Sequence, residues 1–414
     1  MNNKNPKFHL FSKKDLQLGR SLLLALCRRN AIEGLDPVLV EPLADHAFRR
    51  EFLEIASAHR VMGLALSIAV PALARSGGAG RGNQELGDLL RTARRRAAMF
   101  EIQRDHVVAI LLSAGVQPVI LKGAAIAMTF YDKPFERDFV DLDILVPEDQ
   151  VEQSLQALGA QGYVGPTSPE VLLAYRHYHF HVPLRDRLAH VVEIHWRLTR
   201  ASELFQLDAN EVLSQSTSLE RSGPPVLVLP RPEHTLLHLV IQNLHEGFSR
   251  LSRLVDMDRI VAATPGLDWD ALIATARKGN LAPATAVSLQ LANRLLGCTV
   301  PEDVLRELRP GAVARFHLAI MRPVRSMLTQ RLPSAYATKR LQELWLVRGA
   351  RKRILLLSQM LSSDAAVTFP RKERRGALRR FWILGKLVVL QVCLYGVAVA
   401  AQATRVGRVR MRFW

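Results

Sequence analysis

Cysteine is scarce in this chain: there are three in 414 residues, Cys27, Cys298 and Cys393, far apart in sequence. That spacing excludes a cysteine metal cluster and suits structural thiols in a reducing cytoplasm. The amino-terminal stretch MNNKNPKFHLFSKKDLQLGR has no apolar core ahead of a small-residue cleavage site. No secretory signal is expected from it. Long apolar runs are also lacking. The nearest to one, FWILGKLVVLQVCLYGVAVAAQA at 381–403, is interrupted by Lys386 and Gln391, and its cleaner core, 387–401, has 15 residues. A bilayer span needs ~20. Arginines flank both ends, from Arg374 to Arg380 and from Arg405 to Arg412, so a span would carry one basic cluster across the membrane against the positive-inside tendency. A membrane-surface helix and a helix buried on the main body both stay open. Basic clusters beside an apolar helix attract anionic lipids, so peripheral contact with the inner membrane surface is an expectation.

Acidic residues are outnumbered, 38 Asp and Glu against 56 Lys and Arg, for a net charge of +18. Such a balance invites a polyanionic partner: nucleic acid, nucleotide phosphate or an anionic surface. The excess is local. From Arg348 onward 15 Lys or Arg face two acids, Asp364 and Glu373, a net of +13 that leaves only +5 for the rest of the chain. Aromatics make up 6% of the chain, and the arginine clusters of the basic tail have none interleaved for base stacking apart from the terminal Phe413 and Trp414. Nucleic acid therefore ranks behind the other partners.

A hydrophobic content of 49% over this length supports two or three compact units. Residues 14–75 carry apolar side chains at helical spacing, RSGGAGRGNQ at 75–84 is a break, and a long helix is expected over 85–114. Arg91, Arg94, Arg95 and Arg96 are read as its solvated face. At 117 the texture changes. QPVILKG is a short apolar run, AAIAMTFY a helix, DKPFERD a loop, VDLDILV a strand, EDQVEQSLQALGAQGY a helix and HVVEIHWRL a second strand. This order implies a mixed α/β unit of about a hundred residues. After 226 the chain is helical, with PEHTLLHLVIQNLHEG, WDALIATARKG and APATAVSLQLANRLLG each stopping at glycine. The expected organisation is a helical region at 1–104, an α/β core at 105–225, a helical region at 226–365, and a basic tail with an apolar helix at 366–414.

The strand candidate VDLDILV places Asp141 and Asp143 on one face, with Val140, Leu142 and Ile144 toward the core. In HVVEIHWRL, Glu193 and His195 share a face, with Val192, Ile194 and Trp196 on the other. If the strands are neighbours, three carboxylates converge. Their mutual repulsion raises at least one pKa, and a hard divalent cation removes that penalty, which makes Asp141, Asp143 and Glu193 a candidate Mg²⁺ site. An acid inside an apolar strand is costly without a partner, which favours a working role for Glu193. The Lys122-Gly123 turn opens onto a helix, whose free amides bind phosphate oxygens. Asp138 is read as a loop or capping residue. His177, His179 and His181 in YRHYHFHVPL are read as sharing a strand face, and Arg253 with Asp256 as an ion pair.

The ordered set ILKGAAIAMTFYDKPFERDFVDLDILV, ALGAQGY, VVEIHWRL and HLVIQNLHEGFSRLSRLVDMDRIV resembles the uncharacterised nucleotidyltransferase family of the DNA polymerase β superfamily, over roughly 90–260. The resemblance implies an α/β (α+β) polymerase-β-like core with a small mixed sheet between helical regions. It implies Asp141, Asp143 and Glu193 as catalytic metal ligands, Gly123 as the phosphate-binding turn, and Lys122 as a substrate-phosphate contact. Arg137 would orient the loop or the triphosphate, and His195 would orient Glu193 or touch substrate. Lys-Gly-Ala stands where the broader superfamily has a Gly-Ser pair, so its phosphate-touching hydroxyl is absent. The implied activity is Mg²⁺-dependent transfer of a nucleotidyl group from a nucleoside triphosphate to an acceptor: a small molecule, a saccharide or a protein. The second reading is a non-catalytic nucleotide-sensing or membrane-associated accessory protein that keeps the fold.

Overall fold

The computed structural model describes residues 13–29, 37–75, 81–166, 168–199, 204–219, 225–248 and 250–308. All lie in the first of two units, Met1–Ser334 and Ala335–Trp414. The apolar stretch 381–403 and the basic tail fall outside the described residues. Among the described residues, no helix is long and apolar enough to cross a membrane.

Helices lead the chain, as the apolar spacing predicts: α1 (Lys13–Cys27), α2 (His46–Ala58), α3 (Met62–Arg75) and the long α4 (Arg81–Ser113). Asp45 starts α2 by accepting from the Phe48 amide at 2.8 Å. The α2–α3 break falls at Arg60, whose φ of 53° is a left-handed conformation that stops a helix. Then come β1 (Val119–Ile120), α5 (Lys122–Phe130), β2 (Asp141–Leu145), α6 (Val151–Ala160), α7 (Pro169–Tyr178), β3 (His181–Arg185) and β4 (Val191–His195). The remainder is α8 (Ala209–Ser214), β5 (Thr217–Ser218), β6 (Val228–Leu229), α9 (Pro232–His245), α10 (Leu251–Ala263), α11 (Trp269–Lys278), α12 (Ala282–Leu296) and α13 (Glu302–Glu307).

The strands form one six-stranded sheet in the order β3-β4-β2-β1-β6-β5. β2 and β4 run parallel, while β1 with β2 and β3 with β4 are antiparallel. The mixed α/β architecture expected from the sequence is thus observed. Period-2 alternation sends Leu142, Ile144, Val182, Leu184, Val192 and Ile194 to one face, against Val107 and Leu111 of α4 and Val151 and Leu158 of α6. Each such burial is worth ~1.5–3 kcal/mol, which fixes the register and so commits the opposite face to Asp141, Asp143, Glu193 and His195. Val140 departs from the expected pattern. It precedes β2, where the alternation does not yet hold, and is exposed.

Two local corrections concern the residues around the sheet. His177 belongs to α7, so it shares no strand face with His181, which opens β3. Pro169 at the first helical turn and the Ser168 cap on the Val171 amide start that helix, and its stop comes before the strand. Arg253 and Asp256 do not pair with each other. Arg253 reaches Glu246 at 2.6 Å, and Asp256 is held by Arg137 at 2.7 Å.

The amino-terminal helices are tied to α10 through His59, whose Nδ1 accepts from the Leu251 amide at 3.4 Å and whose carbonyl accepts from Ser252 at 3.2 Å. Burial, with Arg250 and Arg20 adding to it, lowers the His59 pKa to about 4. The unfolded chain binds this proton first, so the stabilisation is complete above the unfolded value of about 6.5 and is lost as pH falls toward 4. Going from pH 7 to pH 4.5 is expected to cost about 2–3 kcal/mol through this group. Urea unfolding of wild type and His59→Asn, which keeps an acceptor near Nδ1, checks it. Equal acid sensitivity in both would rule His59 out as the cause.

Candidate active site

Register assembles the site. Asp143 lies opposite Glu193 across the parallel β2–β4 pair, and His181 lies opposite His195 across β3–β4. His195 Nε2 is 2.9 Å from Asp143 Oδ1 and 3.2 Å from Glu193 Oε2. His181 Nε2 is 3.6 Å from Glu193 Oε1. The strands therefore bring together Asp141, Asp143, Glu193 and His195, as their alternation predicts, and add His181. One oxygen from each of the three carboxylates lies within 4.8 Å of the others, and so does one ligand atom from each of His181, Glu193 and His195.

Lys122 comes to the same place from the start of α5. Its φ is 50°, and Nζ sits 2.5 Å from Asp143 Oδ1, 3.5 Å from His195 Nε2 and 3.9 Å from Glu193 Oε2. The Leu121 amide donates to the Asp143 carbonyl at 2.9 Å, locking the turn against β2. Gly123 is required by packing, since a Cβ there would lie 2.6 Å from Phe139 Cβ. Arg137 is placed elsewhere. Its Nε meets both oxygens of Asp256 at 2.7 and 2.9 Å, deep in the fold, and Tyr131 Oη donates to the same carboxylate at 2.8 Å. Arg137 therefore anchors the loop ahead of β2, and its guanidinium is occupied. Asp138 caps α3, accepting from the Met62 and Gly63 amides at 2.8 and 3.3 Å.

The electrostatics separate the two aspartates. Burial, together with Asp143 and Glu193, raises the Asp141 pKa to about 6 even though Lys122 and Arg60 pull it down. Its carboxylate has no hydrogen bond or ion pair among the described residues. Burial acts in the same direction on Asp143, but the Lys122 ammonium and the His195 hydrogen bond outweigh it and hold that carboxyl well below the usual range. Burial, with His195 and Lys122 nearby, lowers His181 to about 3 and keeps it neutral. His238 of α9, which lines a small cavity with Lys122, is driven well below its usual value by burial and by the Lys122 and His195 charges.

This donor set fits a hard divalent cation: three convergent carboxylates, one of them crowded and unpartnered, are what such an ion neutralises. Meanwhile Lys122 neutralises Asp143 from inside the protein. In metal-free protein, Lys122→Met leaves that buried carboxylate without its ammonium and is expected to cost about 1.5–3 kcal/mol. Mg²⁺ should restore much of the loss, as thermal melting with and without Mg²⁺ will show. Identical melting of variant and wild type in metal-free buffer would contradict the role.

Some site residues escape sequence reasoning. Asp256, expected to pair with Arg253, carries no local signal of its pairing with Arg137. His238 sits among apolar helix positions and has no motif of its own. Arg60 has no periodic signal at all, because its position comes from the break between α2 and α3.

The mixed sheet thus carries three carboxylates beside a Lys-Gly helix start. The chain belongs to the uncharacterised nucleotidyltransferase family, whose model matches residues 47–297. The match begins earlier and ends later than the motifs alone suggest, taking in α2, α3 and α12. Among solved structures the chain is similar to an antigenic nucleotidyltransferase-like protein from Paracoccidioides brasiliensis. The two are 14% identical over 52% of this chain and 96% of that one, with a TM-score of 0.29. No curated protein matches the chain.

Proposed function

We propose that the protein transfers a nucleotidyl group from a nucleoside triphosphate to an acceptor hydroxyl, with Asp141, Asp143 and Glu193 holding Mg²⁺. The observation that carries this reading is the convergence of three carboxylates on neighbouring parallel strands, in a chain of this family. The acceptor oxygen attacks the α-phosphorus, its bond to the β-phosphate oxygen breaks, and pyrophosphate leaves. When bound, the ion polarises phosphoryl oxygens and neutralises charge that builds up on them. One carboxylate of the cluster receives the acceptor proton as the oxygen attacks. His195 bonds Asp143 and Glu193 at once and so fixes their spacing.

Lys122 supports the second reading. An ammonium seated on Asp143 is also what a protein that has given up the metal would keep. Incubating the protein with Mg²⁺, labelled triphosphates and cell extract, followed by mass spectrometry of the products, separates the two. Label transferred to any acceptor, and lost in Asp141→Asn, supports the enzyme. Triphosphate binding with no turnover supports the accessory protein.

A further inference from the structure

Arg60 and Arg253 each lie within electrostatic range of Arg137 and Arg250, Arg60 also of Asp141, and the carboxylates paired with these arginines do not balance them. Arg137 is taken up by Asp256. Glu246 serves two guanidiniums, Arg250 at 2.7 Å and Arg253 at 2.6 Å. The Arg253 Nε is buried and has no hydrogen-bond partner. Arg60 has neither a hydrogen bond nor an ion pair to its guanidinium among the described residues, although it lies within electrostatic range of Arg250, Arg137, Glu246 and Asp141.

Their positions are set by hydrogen bonds. His59 binds the Leu251 and Ser252 amides, which puts Arg60 against the start of α10, and Asp138 binds the Met62 and Gly63 amides, which puts the same turn against the loop entering β2. Arg60 thus stands between the arginines of α10 and the first carboxylate of the site. Four guanidiniums face two partner carboxylates, Glu246 and Asp256, and Asp141 belongs to the cation cluster.

We propose that Arg60, Arg250 and Arg253 form a polyphosphate-binding subsite, which receives the phosphate chain of the nucleoside triphosphate alongside the carboxylate cluster. The identity of the ligand rests on the reading in the previous subsection. A half-buried excess of guanidinium beside a carboxylate-held cation has the charge order of a metal-bound polyphosphate, and guanidinium is the side chain best shaped for phosphate oxygens. The role falls to these residues because Arg137 is already occupied. Burial, with Arg250 adding to it, lowers the Arg60 pKa, and burial, with the Arg137 and Arg250 charges, brings Arg253 down to about 10 despite Glu246.

Arg60 also occupies a left-handed position that glycine would fill without strain. A chain selected for stability alone would carry glycine there, and an arginine with no partner points to a ligand.

The test is calorimetric titration of tripolyphosphate and orthophosphate, in low-salt, metal-free buffer, into the full-length protein and its Arg60→Gly, Arg60→Lys and Arg253→Gln variants. Arg60→Gly is expected to melt no lower than wild type yet to bind tripolyphosphate about tenfold or more weakly, as loss of a charge-assisted bond requires. Arg60→Lys should fall between them, and folded Arg253→Gln should also bind more weakly. Wild-type affinity in Arg60→Gly, no tripolyphosphate binding by wild type, or equal affinity for orthophosphate would each overturn the subsite. Absence of Mg²⁺-dependent transfer, with Arg60-dependent tripolyphosphate binding intact, would sink the catalytic reading and leave this subsite standing.

Discussion

Asp141→Asn is expected to slow nucleotidyl transfer by roughly a thousand-fold or more while the protein stays folded and gains stability. The two aspartates look alike in sequence but differ in their surroundings. Asp141 has no hydrogen-bond or ion-pair partner among the described residues, and its pKa is raised to about 6 by burial and then by Asp143. An acid whose folded pKa exceeds its unfolded value of about 3.9 is better accommodated below that value, and the advantage is lost as pH rises through 6. At pH 7, without metal, the amide should therefore stabilise the fold, on the order of 1–2 kcal/mol after allowing for partial exposure. Asp143→Asn should behave differently. It removes the negative charge that Lys122 and His195 are seated on, so stability and turnover should fall together. Melting curves in metal-free buffer, and Mg²⁺ titration of turnover in wild type, both variants and Glu193→Gln, check the pattern. Full activity per folded molecule in all three variants would remove the carboxylates from the chemistry.

Asp256→Ala is expected to destabilise the protein by about 3–5 kcal/mol, the cost of breaking a buried ion pair from one side. Arg137 and Asp256 are both nearly inaccessible, and Tyr131 loses its acceptor in the same change. Replacing both partners, as in Arg137→Met with Asp256→Leu, should recover much of the loss because no charge is left unpaired. Urea unfolding measures both variants. A loss below about 1 kcal/mol for Asp256→Ala would show that the pair is not what holds the loop ahead of β2.

Strand alternation made the heart of the site legible before any coordinates. Asp141, Asp143, Glu193 and His195 alternate with Leu142, Val192 and Ile194, and burying the latter leaves the former one face to share. The helices before and after the sheet were equally legible from apolar spacing and their stops. Pairings between segments distant in sequence were not. Nothing local tells Arg137 to choose Asp256 over an acid nearer in the chain, and nothing in YRHYHFHVPL says that the helix ends at Tyr178 before His181 enters a strand. Arg60 stayed hidden for the same reason. Its importance comes from three segments meeting, which a one-dimensional pattern does not record.

The Arg137–Asp256 pair spans 119 residues of chain. On a ribosome adding about 5–20 residues per second, the arginine waits on the order of ten seconds for its partner to be made. Over that interval the loop into β2 lacks this buried partner and relies on Asp138 and its hold on the Met62 and Gly63 amides, while β2 and β4 emerge with their apolar faces. The nascent chain is therefore a ready client for chaperones. A chain ending at residue 225 would remain in that waiting state permanently, with the carboxylate strands made and the part that steadies them still missing.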